Sequence, residues 1–176
     1  MTMKLERFSQ QHYDLLIGWI HSEEQMYLWS GPTYSFPLNV SQIKAHCSKP
    51  EVNPFILFNG SQPVGFVELY KITKHHYRVC RVLIAQEYRG NGLSKTMLNL
   101  VINKAVEDFG TIKLSLGVFE RNQVAQRCYQ DIGFKVVSFD RGSRVVNGEP
   151  WTLVHMEKSL ITQRLRNTFN AWRFWR

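Results

Sequence analysis

The stretch YRVCRVLIAQEYRGNGLSKTMLNLVINKAV, residues 77–106, decides the fold. Its opening, Tyr77–Ala85, carries Tyr77, Val79, Val82 and Ile84 and reads as a strand. The segment QEYRGNGLSKT follows with Gly90 and Gly92, and then Met97, Leu98, Val101, Ile102, Ala105 and Val106 recur at helical spacing. A strand that runs through a glycine turn into a helix leaves unpaired N–H groups and the positive end of the helix dipole facing one point. An anion, a pyrophosphate in particular, can sit there. Two familiar phosphate loops do not fit these residues. The Walker pattern needs glycines where Arg89 and Ser94 stand, although Lys95 and Thr96 agree with it, and the dinucleotide fingerprint needs a third glycine where Lys95 stands. Glycines so placed would equally serve a plain strand-to-helix turn, so the rest of the chain has to decide.

Working outward, Tyr13, Leu16, Ile17 and Ile20 form the apolar stripe of a helix over Tyr13–Trp19. Trp29–Asn39, with Gly31, Pro32 and Pro37 among aromatics, reads as an ordered loop suited to lining a substrate pocket, and a short helix is expected around Ser41–Cys47. Pro54–Asn59 and Val64–Ile72, separated by NGSQP, read as a hairpin. His75 and His76 are placed in a hairpin turn before the strand that starts at Tyr77. Downstream come a strand over Thr111–Val118, a helix over Gln123–Ile132 stopped by Gly133, and an antiparallel pair, Phe134–Phe139 with Trp151–Met156, around VNGEP. The pattern is mixed α/β.

Two segments in register add a resemblance. RGNGLS, Arg89–Ser94, is similar to the Arg/Gln-x-x-Gly-x-Gly/Ala loop of the GCN5-related N-acetyltransferases, with Ser94 in the place usually held by glycine or alanine. NQVAQRCYQDIGF resembles the family's second signature, through Asn122, Ala125, Tyr129, Gly133 and Phe134. The resemblance is strong over about a third of the chain and looser over Leu5–Lys158. It implies a central twisted, mostly antiparallel sheet with a parallel, splayed strand pair, flanked by helices. It also implies acetyl-CoA as cosubstrate, its pantetheine against the main chain of Val82, Leu83 and Ile84. Its pyrophosphate would lie on the amides of Gly90, Asn91, Gly92, Leu93, Ser94 and Lys95, with Arg89 and Lys95 as counter-charges. Asn122 is expected at the cofactor arm, or as the N-cap of its own helix.

Acetyl transfer to an amine needs a neutral nucleophile, a polarised carbonyl and a proton for the departing thiolate. Tyr129 matches the family tyrosine that supplies this proton; on residue pattern alone it would also suit a helix core. Several relatives carry a glutamate base on one of the splayed strands, where this chain has Arg78 and Gly117. Glu68, in VGFVELY, is the carboxylate chosen in its place, with Glu87 and Glu120 as weaker alternatives. The acceptor is expected to be a small-molecule amine or a protein N-terminus. An acyl-CoA sensor without turnover, and an RNA- or ribosome-associated binding protein, remain as alternatives.

The three cysteines, Cys47, Cys80 and Cys128, are widely spaced and odd in number, which suits free thiols rather than disulfides or a metal cage. No structural metal is expected. The first residues, MTMKLERFSQQHYD, have no long apolar run, so a cytoplasmic location is expected. A net charge of +8 favours an acidic partner without naming one. Four of these charges, Arg164, Arg166, Arg173 and Arg176, lie in a segment whose Ile161, Leu165, Trp172 and Trp175 share one helical face. The organisation expected is an acetyltransferase domain over 1–158 and a basic, aromatic, amphipathic helix over 159–176. The apolar face of that helix would pack on the domain or on a sister subunit in a homodimer, with membrane or RNA contact as lesser alternatives.

Overall fold

Gly60, in the left-handed region at φ 61°, turns the chain between two strands. These are β2 (Val52–Asn59) and β3 (Gln62–Thr73), paired antiparallel from Asn59↔Gln62 to Val52↔Tyr70, as the Asn-Gly signal predicts. β1 (Met3–Arg7) adds to the other edge of β2. The computed structural model describes residues 2–146 and 148–162.

These residues divide into two compact units. One contains the chain up to Tyr70 together with Val79–Val101; the other contains Lys71–Arg78 and the described residues from Ile102 onward. In the first unit three helices follow β1: α1 (Tyr13–Gly18), α2 (Glu23–Ser30) and α3 (Val40–Cys47). Phe8, Leu16, Met26, Ile43, Phe66 and Leu83 belong to a single buried cluster, and each such side chain contributes on the order of 1.5–3 kcal/mol by leaving water. Phe8 meets Phe66 edge to face at 4.9 Å, and Trp29 packs edge-on to Phe66 at 5.8 Å. The helix α2 corrects the sequence reading, which had Trp29–Asn39 as loop throughout. Trp29 is helical, a 3₁₀ turn follows at Gly31–Thr33, and only the remainder up to Asn39 is irregular.

β4 (His76–Ile84) begins in the second unit and ends in the first. His76 is thus the first residue of the strand rather than part of the turn. Its opening residues run parallel to β5 (Lys113–Phe119), in the register His76↔Lys113, Tyr77↔Leu114 and Arg78↔Ser115. β5 then pairs antiparallel with β7 (Glu149–Ser159), which pairs with β6 (Lys135–Val146). The strand order is β1-β2-β3-β4-β5-β7-β6, so one parallel contact sits in an otherwise antiparallel sheet. The long α4 (Leu93–Phe109) follows β4, and α5 (Gln123–Asp131) follows β5. Ser159 closes β7, and buried Leu160 donates its N–H to Ile112 O at 2.8 Å. The expected helix over 159–176 falls, from residue 163 on, outside the described residues.

Gly65 lies where β3, β4 and α4 meet. A Cβ there would stand 2.8 Å from Leu83 O, 2.8 Å from Ile84 Cδ1 and 3.2 Å from Met97 Sδ. The carbonyl cannot rotate away as a side chain can. Gly65→Ala is therefore expected to lower stability by about 1–3 kcal/mol, the usual cost of overpacking, read as a fall in Tm by thermal denaturation.

Candidate active site

The loop between β4 and α4 lies wholly within the first unit. A 3₁₀ turn at Gln86–Tyr88 leaves the strand, held by Tyr88 N–H to Ala85 O at 2.9 Å. Arg89 Nε donates back to Ile84 O at 3.0 Å, and Asn91 Nδ2 donates to Arg89 O at 3.2 Å. Gly90 and Gly92 then adopt φ 80° and 72°, with no heavy atom within 4 Å of where a Cβ would stand on either. This is an open cradle of main chain. Leu93 and Ser94 occupy the first turn of α4, where no carbonyl of the helix can reach their amides. The amide of Lys95 differs from expectation: it donates to Gly92 O at 3.1 Å and so closes the turn. Its side chain is exposed, as is that of Arg89. Glycine-permitted backbone, first-turn amides and two cations fit an anionic diphosphate.

Asn122 and Tyr129 stand on α5 in the second unit. Asn122 Oδ1 accepts from the Ala125 amide at 3.2 Å, so this residue is the N-cap of α5. The same cap orients the helix on which Tyr129 sits two turns later. Tyr129 is buried, with its ring 6.1 Å from that of Phe134, and its carbonyl accepts the Phe134 amide at 3.0 Å. Gly133, at φ 94°, carries the chain out of the helix, and Lys158 Nζ caps Ile132 O at 2.6 Å. Glu87 and Glu120 are both exposed. His76 Nε2 lies 2.8 Å from Ser115 Oγ, and burial with the neighbouring Lys113 holds its pKa below the ordinary value.

Glu68 has surroundings that the sequence reading did not foresee. Its carboxylate is fully buried, accepts from Arg81 Nε at 2.9 Å and from Arg81 Nη2, and lies 2.9 Å from His46 Nε2. Burial pushes its pKa up, but the hydrogen bonds from His46 and Arg81 outweigh this and leave it below the ordinary value. Burial likewise acts to lower the Arg81 pKa, and the bonds and charge of Glu68 carry it above the usual one. A carboxylate held ionised by a two-pronged guanidinium is a weak proton acceptor, so the geometry disfavours Glu68 as general base.

The cluster around this pair is extensive. Arg81 Nη1 donates to Thr33 Oγ1 at 3.1 Å, and Arg81 O accepts from Trp29 Nε1 at 2.8 Å. Tyr34 stacks on Trp29 at 5.6 Å and meets the His46 ring edge-on at 5.2 Å. Tyr34 OH and His46 Nδ1 are buried without a hydrogen-bond partner among the described residues. Burial drives the Tyr34 pKa far upward and pushes that of Cys47 up to about 12, the Glu68 charge adding to both. Arg81 itself is the single non-glycine residue with positive φ among the described residues, at 51°. For an L-residue that conformation costs roughly 1–2 kcal/mol. The one sequence signal for this cluster is a lone acid in GFVELY and a lone base in VCRVLI, opposite charges within two apolar strands.

Comparison with known proteins agrees with this architecture. The pattern of the Acetyltransferase (GNAT) family matches residues 16–134. A spermidine N(1)-acetyltransferase of Thermoplasma acidophilum is 30% identical over 151 residues, 80% of this chain and 92% of the relative. An uncharacterized N-acetyltransferase of Mycobacterium tuberculosis is 30% identical over 73 residues, 42% of this chain and 46% of its own length. Among solved structures, the spermidine N-acetyltransferase of Vibrio cholerae in complex with CoA and spermine superposes with a TM-score of 0.78 at 18% identity, covering 89% of this chain and 95% of that one. A GNAT-family acetyltransferase of Streptococcus pneumoniae gives 0.69 at 18%, covering 90% and 99%. The chain belongs to the GNAT family of acetyltransferases. Within that family it is an acetyl-CoA-dependent N-acetyltransferase. None of the described helices is long and apolar enough to cross a membrane.

The Glu68–Arg81 pair yields a stability prediction. Arg81→Met strands a buried carboxylate and should cost about 3–5 kcal/mol at neutral pH. The folded-state pKa of Glu68 is depressed, so its contribution is present above the ordinary value of 4.5 and is lost as pH falls through the lower folded-state value. Urea unfolding at a series of pH values should therefore show the gap between wild type and variant narrowing in acid.

Proposed function

We propose that this enzyme transfers the acetyl group of acetyl-CoA directly to a primary amine of a small molecule, with Tyr129 as general acid. The observation that carries the reading is the open main-chain cradle at Gly90 and Gly92, set at the start of the 17-residue α4 and one 3₁₀ turn after the strand ending at Ile84. In this reading the main chain of Val82, Leu83 and Ile84 pairs with pantetheine. The amides from Gly90 to Ser94 receive the pyrophosphate, and the Arg89 and Lys95 side chains offset its charge. Asn122 reaches the cofactor arm with its amide nitrogen, its oxygen being engaged in the cap. The amine nitrogen bonds to the acetyl carbon, the carbon–sulfur bond breaks, the Tyr129 hydroxyl gives its proton to the thiolate, and the proton that the acylated nitrogen sheds passes through water to restore that hydroxyl. No acyl-enzyme forms, and Cys128 takes no part.

For the acceptor, the relative from Thermoplasma acidophilum supports a polyamine as the first compound to test. Exposed Glu23 and Glu24, in the first turn of α2, provide negative charge on the first unit for such a cation. The overall balance of +8 opposes it. A protein N-terminus is the alternative acceptor.

Calorimetric titration with acetyl-CoA tests the cofactor site. Saturable binding is expected in the wild type, and none in Gly92→Glu, where an acidic side chain and a non-glycine residue at φ 72° both oppose a phosphate. Tyr129→Phe should still bind acetyl-CoA but lose about 10²–10⁴-fold in kcat, measured as amine-dependent thiol release. Wild-type affinity in the Gly92 variant would refute the loop assignment, and an undiminished kcat in the Tyr129 variant would remove the general acid.

A further inference from the structure

Building on the cofactor reading above, we infer that Arg81 is a positioning residue for acetyl-CoA: a clamp made by Glu68, Thr33 and Trp29 holds it left-handed and thereby sets the main chain of Val82–Ile84. The backbone strain at Arg81 lies one residue before the proposed pantetheine strand. Strain of this kind persists only where the surroundings over-determine it. Here they do so at both ends of the residue. The guanidinium is taken by Glu68 on β3 and by Thr33 after α2, and the carbonyl is taken by the Trp29 indole N–H at 2.8 Å. The peptide joining Arg81 to Val82 is planar and trans, so a carbonyl fixed toward Trp29 fixes the Val82 N–H in the opposite direction. The orientation of the first amide of the cofactor strand is thus set by an indole outside the strand. Thr33 and Trp29 both belong to the segment read as the acceptor wall, which the clamp ties to the cofactor strand.

Loss of the clamp lets residue 81 relax toward ordinary β geometry and reduces the fraction of molecules whose Val82–Ile84 main chain is ready for cofactor. Apparent affinity falls by that fraction, while molecules that do bind turn over normally. Arg81→Lys keeps a buried cation opposite Glu68 but gives up the fork. Trp29→Phe keeps the aromatic packing and removes only the N–H to Arg81 O. Both should raise the Kd and KM for acetyl-CoA about five- to tenfold, and Arg81→Lys, which leaves the acceptor wall untouched, should keep kcat at saturating cofactor within about twofold of wild type. A merely structural role would lower Tm or the active fraction and leave KM alone. Unchanged Kd and KM in the two variants, each shown to be folded by thermal denaturation, would overturn the clamp. Gly92→Glu is titrated alongside: binding lost there but unaltered in the clamp variants condemns the clamp alone, whereas binding retained there condemns the cofactor assignment itself.

Discussion

A carboxylate with no solvent exposure is the constraint around which the first unit is organised. Glu68 sits on a strand whose neighbours Phe66, Val67 and Leu69 are all fully buried, and an unpaired charge there would be expelled or neutralised. Arg81 meets it with two nitrogens, and His46 comes from α3 to the same carboxylate. Buried ion pairs of this kind seldom raise stability above that of a well-packed apolar pair. What the pair does supply is geometry, because a two-pronged guanidinium accepts few arrangements of the strands that carry it. Its cost is accompanied by a second one, the positive φ of Arg81. Two unfavourable features at one residue, next to the proposed cofactor strand, are better accounted for by positioning than by stability.

The proposed site combines two kinds of recognition with different demands on sequence. The proposed loop would act through main-chain amides, so it needs glycine only where the backbone is left-handed and tolerates Ser94 where the family usually has a smaller residue. The proposed acid would act through one hydroxyl, so the identity of Tyr129 would matter and the packing of α5 would have to hold it. Asn122 at one end of that helix and Lys158 at the other satisfy its terminal groups, and both contacts serve to fix the tyrosine.

Those demands explain what could be read from the chain alone. Strand, glycine turn and helix over residues 77–106 follow from local patterns, as do the hairpin at Gly60 and the helix α5, because each is determined by residues close in sequence. The helix α2 was legible in principle: Ser22 accepts the Gln25 amide at 3.1 Å, and Ser-x-x-Gln is a recognised start signal. The last residues of α2 run into the stretch holding Gly31, Pro32 and Pro37, whose loop signal overlaps the end of the helix. β6 runs on to Val146, well past the expected Phe139, through Gly142 and a register shift that break strict alternation. Beyond one acid and one base in two apolar strands, the Glu68 cluster leaves no mark in the sequence. Arg81 and His46 are 13 and 22 residues from the carboxylate, and nothing local to VGFVELY says which charges will face it.

With Glu68 bound to Arg81, the amine's own proton has to be accounted for differently. An alkyl ammonium has a pKa close to that of lysine, about 10.4, and must become neutral before it can attack. Desolvation disfavours the charged form of an amine, and nearby cations do the same. With Arg89 and Lys95 offset by the pyrophosphate in the proposed complex, the rest of the +8 balance moves a bound amine in that direction. The same field weakens capture of a polycation, so an acceptor with several ammonium groups would need local carboxylates such as Glu23 and Glu24 to hold the groups that do not react. On this view the positive balance of the protein helps the chemical step and restricts the acceptor, and a dedicated carboxylate base is not required of the strands where Arg78 and Gly117 stand.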